Sequence, residues 1–501
     1  MKRTLKFSAS VIMGYLLTAA LLTACGSTAS TDEVQTTADT AAVNTDETVV
    51  TDTVKLQPDL PEADFDGYIF RVSHWEHPGW ESRACHDIYA EAENGDTIND
   101  AVFARNLVVC EKYNFDISLE NVKFDELVTR VKNAVAAGDD AYDLAYLRLY
   151  EQKNLVSGGY FVDFNTIPNI DLTKPWWDAG CVESLTVDGK LYLAASSINI
   201  SDENATAGIL FNKQLAANHD MEDPYQLVRD GKWTIDKMYE MYSDVSTDVN
   251  GDGKMGGEDL WGFLGGTDVV ASFYIGSGGT VVSRDKNGGL YDSLNSDRNF
   301  AIVEKIQSVM TDDKNFYNHH KGTQALQSTD DNEYRNLFSD GHGLFFWTRM
   351  DEVTTLRGME TDFGILPTPK YEESQENYIS FVSQHIMGLM SIPATATDLN
   401  RTGIILEALA AESYYTLTPA YYDVALKSKA SRDDESAEML DIIFSNRVYD
   451  LGEYFNFGSI FDVLNSVCQD KSKGIASEYE KKASAFTKEL DKWFEAIESL
   501  E

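Results

Sequence analysis

The chain has 501 residues, too many for a single hydrophobic core, so it divides into at least two folded parts. Its 82 Asp and Glu against 41 Lys and Arg leave a formal charge of −41, which repels nucleic acid and anionic membrane surfaces and excludes both as electrostatic partners. Besides Cys25 there are Cys85, Cys110, Cys181 and Cys468; a chain of this size folds without disulfides, and the expectation is buried free thiols.

The amino terminus carries Lys2, Arg3 and Lys6, then an apolar run over 11–22, then Leu22-Thr23-Ala24-Cys25. A positive start, a short apolar middle and small closing residues describe a secretory signal peptide, and the run is shorter than the roughly 20 residues of a membrane span. Leu-Thr-Ala-Cys resembles the lipobox of bacterial lipoproteins. That resemblance implies that residues 1–24 are removed and that the Cys25 thiol is lipidated as the first mature residue. Residues 25–60 contain no aromatic residue and are acidic, with only Lys55 opposed to Asp32, Glu33, Asp39, Asp46, Glu47 and Asp52. Such a composition cannot offset its ordering entropy and predicts a disordered tether.

Beyond it, 65–72 predicts a first strand after a turn, and the helical spacing of Ile98, Ala101, Val102, Leu107 and Val108 predicts a helix to residue 113. The pattern repeats over 124–137. Strands are predicted at 143–147, 191–195 and 208–211, and a helix over 233–245 with Thr234 as N-cap. Helices at 300–310 and 332–338, strands at 343–347 and 363–366, and helices at 402–415, 436–444 and 474–500 complete the series. Short strands separated by helices predict α/β architecture with sheets covered on both faces.

The run Asp248-Val249-Asn250-Gly251-Asp252-Gly253-Lys254 through Asp259 matches a calcium loop. Side-chain oxygens stand at positions 1, 3 and 5 as Asp248, Asn250 and Asp252. Gly253 occupies the sharp turn at position 6, and Lys254 offers its carbonyl at position 7. Asp259 takes position 12, where an EF-hand has Glu. An acidic turn without metal is the competing reading. With Asp at position 12 the loop also resembles dockerin loops, but a dockerin needs two and the chain has one. The expected cofactor is a structural calcium ion.

Several segments together resemble the extracellular solute-binding proteins of bacterial ABC transporters, of the oligosaccharide-binding kind. They are Gly95-Asp96-Thr97-Ile98-Asn99-Asp100, Gly158-Gly159-Tyr160-Phe161-Val162-Asp163, Lys174-Pro175-Trp176-Trp177-Asp178, Phe211-Asn212-Lys213, Asp223-Pro224-Tyr225, Gly231-Lys232-Trp233-Thr234, Gly364-Ile365-Leu366-Pro367 and Gln384-His385-Ile386-Met387-Gly388. The resemblance implies a two-lobe α/β fold of periplasmic-binding-protein type with crossover strands at the hinge. Lobe 1 would comprise 61–208 and 385–425, and lobe 2 would comprise 209–384 and 426–501. It further implies a lipid-anchored receptor on the outer face of the cell membrane. Such a receptor would deliver a small solute, most readily a sugar, to the permease subunits of an importer.

Ligand-binding candidates stand where predicted strands end toward the cleft. These are His74 and Trp75 after the first strand, Arg148 and Tyr150 after the strand at 143–147, and Trp347 and Arg349 after that at 343–346. Aromatic faces supply area at low entropic cost, and the polar groups orient a ligand. The resemblance assigns Trp347 to stacking on sugar. Trp177 is a cleft candidate too, with packing of a helix start after Pro175 as the equal alternative. The chain has no Gly-x-Ser-x-Gly, His-Glu-x-x-His or Walker loop. Among its 82 carboxylates the pair of a glycan hydrolase cannot be picked out by sequence. A non-catalytic receptor is therefore the leading expectation, with a receptor for a peptide-like or polyol solute, or a surface glycan hydrolase, as alternatives.

Overall fold

The predicted apolar runs become strands of two separate sheets. The computed structural model describes residues 55–76, 87–319, 333–426 and 434–500, and one compact unit spans Gln57–Glu501. The signal peptide, Cys25, most of the 25–60 segment and Cys85 lie outside the described residues. In chain order the strands are β1 (Tyr68–Glu76), β2 (Phe115–Lys123), β3 (Leu144–Arg148), β4 (Ala207–Asn212), β5 (Trp261–Gly265), β6 (Val282–Arg284), β7 (Leu290–Asp292), β8 (Phe316–Asn318), β9 (Gly343–Arg349), β10 (Phe363–Leu366), β11 (Ser380–Phe381), β12 (Gly388–Ser391) and β13 (Arg447–Val448).

The first sheet has the order β12-β3-β1-β2, the second β10-β4-β9-β5-β8, and β11–β13 and β6–β7 form two small pairs. Strands β3, β4, β5 and β9 are buried at every residue, as strands covered on both faces must be. Parallel neighbours need crossover helices, and Thr97–Tyr113 and Phe124–Ala137 supply them between β1, β2 and β3. The Asp96 carboxylate caps the first by accepting the Ile98 and Asn99 N–H groups, and Asn114 ends it in the left-handed region (φ +53°). Thr234 caps the helix Ile235–Tyr242 as expected, accepting the Lys237 N–H.

Several segments differ from expectation. β2 follows the first long helix directly, and its inward Phe115 and Ile117 alternate with outward Asp116 and Ser118, a strand signal the helical pattern before it obscured. Residues 191–195 are buried but form no strand. Ala194 bridges to Met390, while the Leu191 N–H is taken by the Asp163 carboxylate. The terminal helix breaks into Ile475–Glu480 and Ala483–Glu498, near where Gly458 presses on the Phe486 backbone so closely that a Cβ would lie 2.5 Å from its nitrogen.

The last helix touches both halves. It packs on β7 and on the helix Lys153–Ser157. Lys153 Nζ donates to the Phe455 carbonyl (2.8 Å) and Glu489 (2.7 Å), and Trp493 Nε1 donates to the Lys153 carbonyl (2.9 Å). Lys190 Nζ caps the carboxy-terminal carbonyls of Ile497 (2.9 Å) and Leu500 (2.6 Å).

In the first half, one carboxylate holds two tryptophans. Trp176 Nε1 donates to Glu407 Oε1 at 3.0 Å and Trp177 Nε1 to Glu407 Oε2 at 2.8 Å. Burial raises the Glu407 pKa, against the pull of these donors. Removing the acceptor strands two buried N–H groups. Glu407→Ala is therefore expected to lower unfolding free energy by about 3 kcal/mol in a denaturant titration, with Glu407→Gln losing less.

Candidate functional site

Strand direction decides where the two sheets face each other. β1 and β3 are parallel, so Glu76 and Arg148 stand at one edge, and β12 begins at Gly388 directly opposite Arg148. β5 and β9 are parallel, so Gly265 and Arg349 stand at one edge, and β4 begins at Ala207 opposite Arg349. The chain reaches β4 through Thr206 and leaves for β12 through 382–387. These two passages are bridged at Thr206 and Val382. The Ser383 N–H donates to the Ala205 carbonyl (2.9 Å), and the Met350 N–H to the Thr206 carbonyl (3.0 Å). The carboxyl ends of both sheets thus converge on the crossing segments, the place where open α/β sheets bind ligands.

On the first side, Trp75 is 1% exposed, and its Nε1 has no hydrogen-bond partner among the described residues. Gly388 is required beside it, because a Cβ there would stand 2.9 Å from Nε1. The His74 ring lies against Tyr146 with centroids 5.3 Å apart, and burial pushes its pKa down against the pull of Asp87, leaving it neutral. The Arg148 guanidinium sits 3.7 Å over the Phe124 ring and 5.7 Å from that of Trp75, and bonds Glu151 at 2.8 Å. Tyr150 lies in the short 3₁₀ turn Leu149–Glu151 that follows β3.

On the second side, Arg349 is buried between Asp351 (3.4 Å) and Asp268 (3.7 Å). Trp347 shares its strand face with Phe345, whose ring meets that of Trp233 at 5.4 Å, so position 347 belongs to the packed layer beneath the edge. Its Nε1 also lacks an acceptor among the described residues. Trp177 is 3% exposed and committed to Glu407, the packing alternative weighed above.

Sequence reasoning missed the groups that reach the crossing from elsewhere. Gln384, in the passage to β12, donates to Glu453 Oε1 at 2.6 Å. Burial first, and Asp450 second, raise the Glu453 pKa well above the usual range. Asn199, just before the passage to β4, buries an amide nitrogen with no acceptor among the described residues. Gln384 lay inside a segment already singled out, whereas Glu453 and Asn199 carry no local signal.

The 248–259 loop is tied by its own backbone. Asp248 accepts the Gly251 and Gly253 N–H groups, both at 2.7 Å, and those glycines adopt φ of +73° and +82°. Asn250 accepts from Asp252 at 2.9 Å, and Asp252 from Lys254 at 2.8 Å. Asp259, fully buried, accepts from Val249 (2.8 Å) and Gly256 (2.6 Å). Oxygen donors occur in the order a hard dication takes them, and Asp259 Oδ2, which accepts the Gly256 N–H alone, keeps a lone pair. Among the described residues, however, no three His, Cys, Asp or Glu side chains converge on one point. Cys110, Cys181 and Cys468 are free thiols.

Residues 90–390 match the family described as bacterial extracellular solute-binding protein. The fold is similar to the sugar-binding protein MalE of Xanthomonas citri (TM-score 0.57, 12% identity, 86% of this chain and 100% of that chain). It is also similar to a sugar transporter of Rhizobium etli in an open conformation (TM-score 0.54, 14% identity, 87% and 100%). A third likeness is to an ABC substrate-binding protein of Listeria monocytogenes in complex with cycloalternan (TM-score 0.52, 12% identity, 84% and 98%). By sequence, no curated protein matches the chain.

Proposed function

Because the chain belongs to the bacterial extracellular solute-binding proteins, we propose that it captures a carbohydrate, foremost an oligosaccharide, between its two lobes and hands it to the permease of an ABC importer. The observation that carries this reading is the pair of buried indole N–H groups, on Trp75 and Trp347, that have no acceptor among the described residues. Buried donors are almost always satisfied, and a ligand oxygen completes these. Each arginine at the sheet edges already has a carboxylate neighbour, Glu151 for Arg148 and Asp351 with Asp268 for Arg349. A solute therefore meets rings and balanced polar groups, which suits a neutral polyhydroxy compound. The Listeria and Xanthomonas proteins, described respectively with cycloalternan and as sugar-binding, lend support. Ligand contacts are assigned to His74, Trp75, Arg148, Tyr150, Trp347 and Arg349.

A thermal-shift panel of oligosaccharides, polyols and peptides tests the class, since a solute that binds only the folded state raises its melting temperature. Sugars are expected to give the shifts; shifts from peptides alone reject the carbohydrate. Trp75→Phe and Trp347→Phe keep the ring but delete the donor. Each should weaken sugar binding by about 1 kcal/mol in calorimetry, and unchanged affinity removes that residue from the site.

The anchor is assigned to Cys25. Among the described residues no helix is long and apolar enough to cross a membrane. Labelled palmitate should enter the wild-type protein in cells and be absent from Cys25→Ser; equal labelling of the two rejects the anchor.

Calcium is proposed at Asp248, Asn250, Asp252, the Lys254 carbonyl and Asp259, as a clamp on the loop. Chelator is expected to lower the melting temperature by a few degrees and added calcium to restore it. Indifference to both would make the loop a metal-free turn.

A further inference from the structure

Glu453 stands on the short helix Leu451–Phe455, where segments from both sheet edges meet it. The helix packs on the turn Leu149–Glu151, which follows β3 at the edge of the first sheet. The neighbouring Tyr454 hydroxyl donates to the Val382 carbonyl of the return passage at 2.8 Å. From the edge of the second sheet, Asp268, the carboxylate beside Arg349, acts on Glu453 electrostatically. β13, which leads into this helix, is tied to the first half by Arg447, whose Nη2 lies 2.5 Å from Asp178 Oδ2. Glu453 is thus held between the opposed edges that carry Tyr150 and Arg349.

The side chains of Glu453 and Gln384 satisfy only half of each other. Gln384 Nε2 donates to Glu453 Oε1 at 2.6 Å. Glu453 Oε2 and Gln384 Oε1 are both buried and have no hydrogen-bond partner among the described residues. Each lies one carboxyl or amide width from the bond that joins them, so both open positions belong to one small region. Buried polar atoms are rarely left so, because water or a ligand completes them. Burial first, and then Asp450, disfavour the ionised form of Glu453, so it keeps its proton. Asp450 itself is engaged as the helix cap, accepting the Glu453 N–H at 2.7 Å. The proton belongs on Oε2, since Oε1 already accepts from the amide. Oε2 is therefore a donor, and Gln384 Oε1 is an acceptor. A hydroxyl answers both, because its oxygen accepts from one while its hydrogen goes to the other. A carboxylate has no hydrogen to give, and an ammonium group has no lone pair.

We propose that Glu453 and Gln384 form a specificity pair for one hydroxyl of the solute, Glu453 Oε2 donating to its oxygen and Gln384 Oε1 accepting its hydrogen as the lobes close. The pair rests on the carbohydrate-receptor reading and deepens it, adding contacts that come from the crossing segments and not from the strand ends. It selects a neutral solute with a free hydroxyl at one position and disfavours the analogue that lacks it, since the two buried atoms are then left unpaired.

The test varies the solute as well as the protein. Maltotriose, cellotriose and xylotriose are titrated into the mature chain by calorimetry, followed by the singly deoxygenated analogues of the sugar that binds. The wild type should bind one of those analogues roughly tenfold more weakly than the parent sugar. Glu453→Met, similar in length but without a donor, should bind the parent roughly tenfold more weakly and no longer tell it from that analogue. Glu453→Gln, which restores a donor and an acceptor, should recover most of both the affinity and the discrimination. Gln384→Met should also lose the discrimination, and it carries the test should Glu453→Met fail to fold. A purely structural role, or a buried water in place of the hydroxyl, would weaken the parent and every analogue alike. That result, or unchanged discrimination in both Met variants, overturns the pair while leaving the carbohydrate reading in place. A wild type indifferent to every sugar and shifted by peptides alone rejects the carbohydrate reading, and the pair's role with it.

Discussion

Everything in this molecule depends on the strand ends meeting at Thr206. Its carbonyl accepts the Met350 N–H, and its backbone bridges to Val382, so the two passages between the sheets are bonded to each other as well as to what they connect. Two α/β halves, each with its own sheet, could be joined by any linker. Joining them by bonded passages fixes which edges face one another and places Arg148 and Arg349 on opposing sides. The binding candidates owe their position to this constraint more than to any local motif.

Much of the fold was legible in the residues. The long helices, the continuous apolar strands β3, β4 and β9, and the Thr234 cap all follow from periodicity and capping chemistry. β2 escaped because a two-residue period begins directly where a helical one stops. The site was legible only in part. Positions 74, 75, 148 and 349 could be named because strand ends carry function in such folds. Trp347 was named as well, and it stands on the buried face of β9 with an indole N–H that has no acceptor among the described residues. Glu453 and Arg447 were out of reach. Their importance arises from contacts between segments tens to hundreds of residues apart, which no local pattern encodes.

The acidity that seemed merely solubilising has a structural counterpart. Buried carboxylates recur around the crossing, at Asp202, Asp450 and Glu453, and burial raises the pKa of each, that of Asp450 to about 6. Surface acids keep such a chain dispersed, whereas these interior ones are kept from solvent and hold their protons more tightly. The two groups differ in solvation alone, and composition counts them together.

The helix Ala483–Glu498 lies on β7 yet is gripped from the other half by Lys153 and Lys190. Pulling the halves straight apart would strip those ammonium groups from their oxygens all at once. The two halves are therefore fastened along this side, and the last helix is part of that fastening.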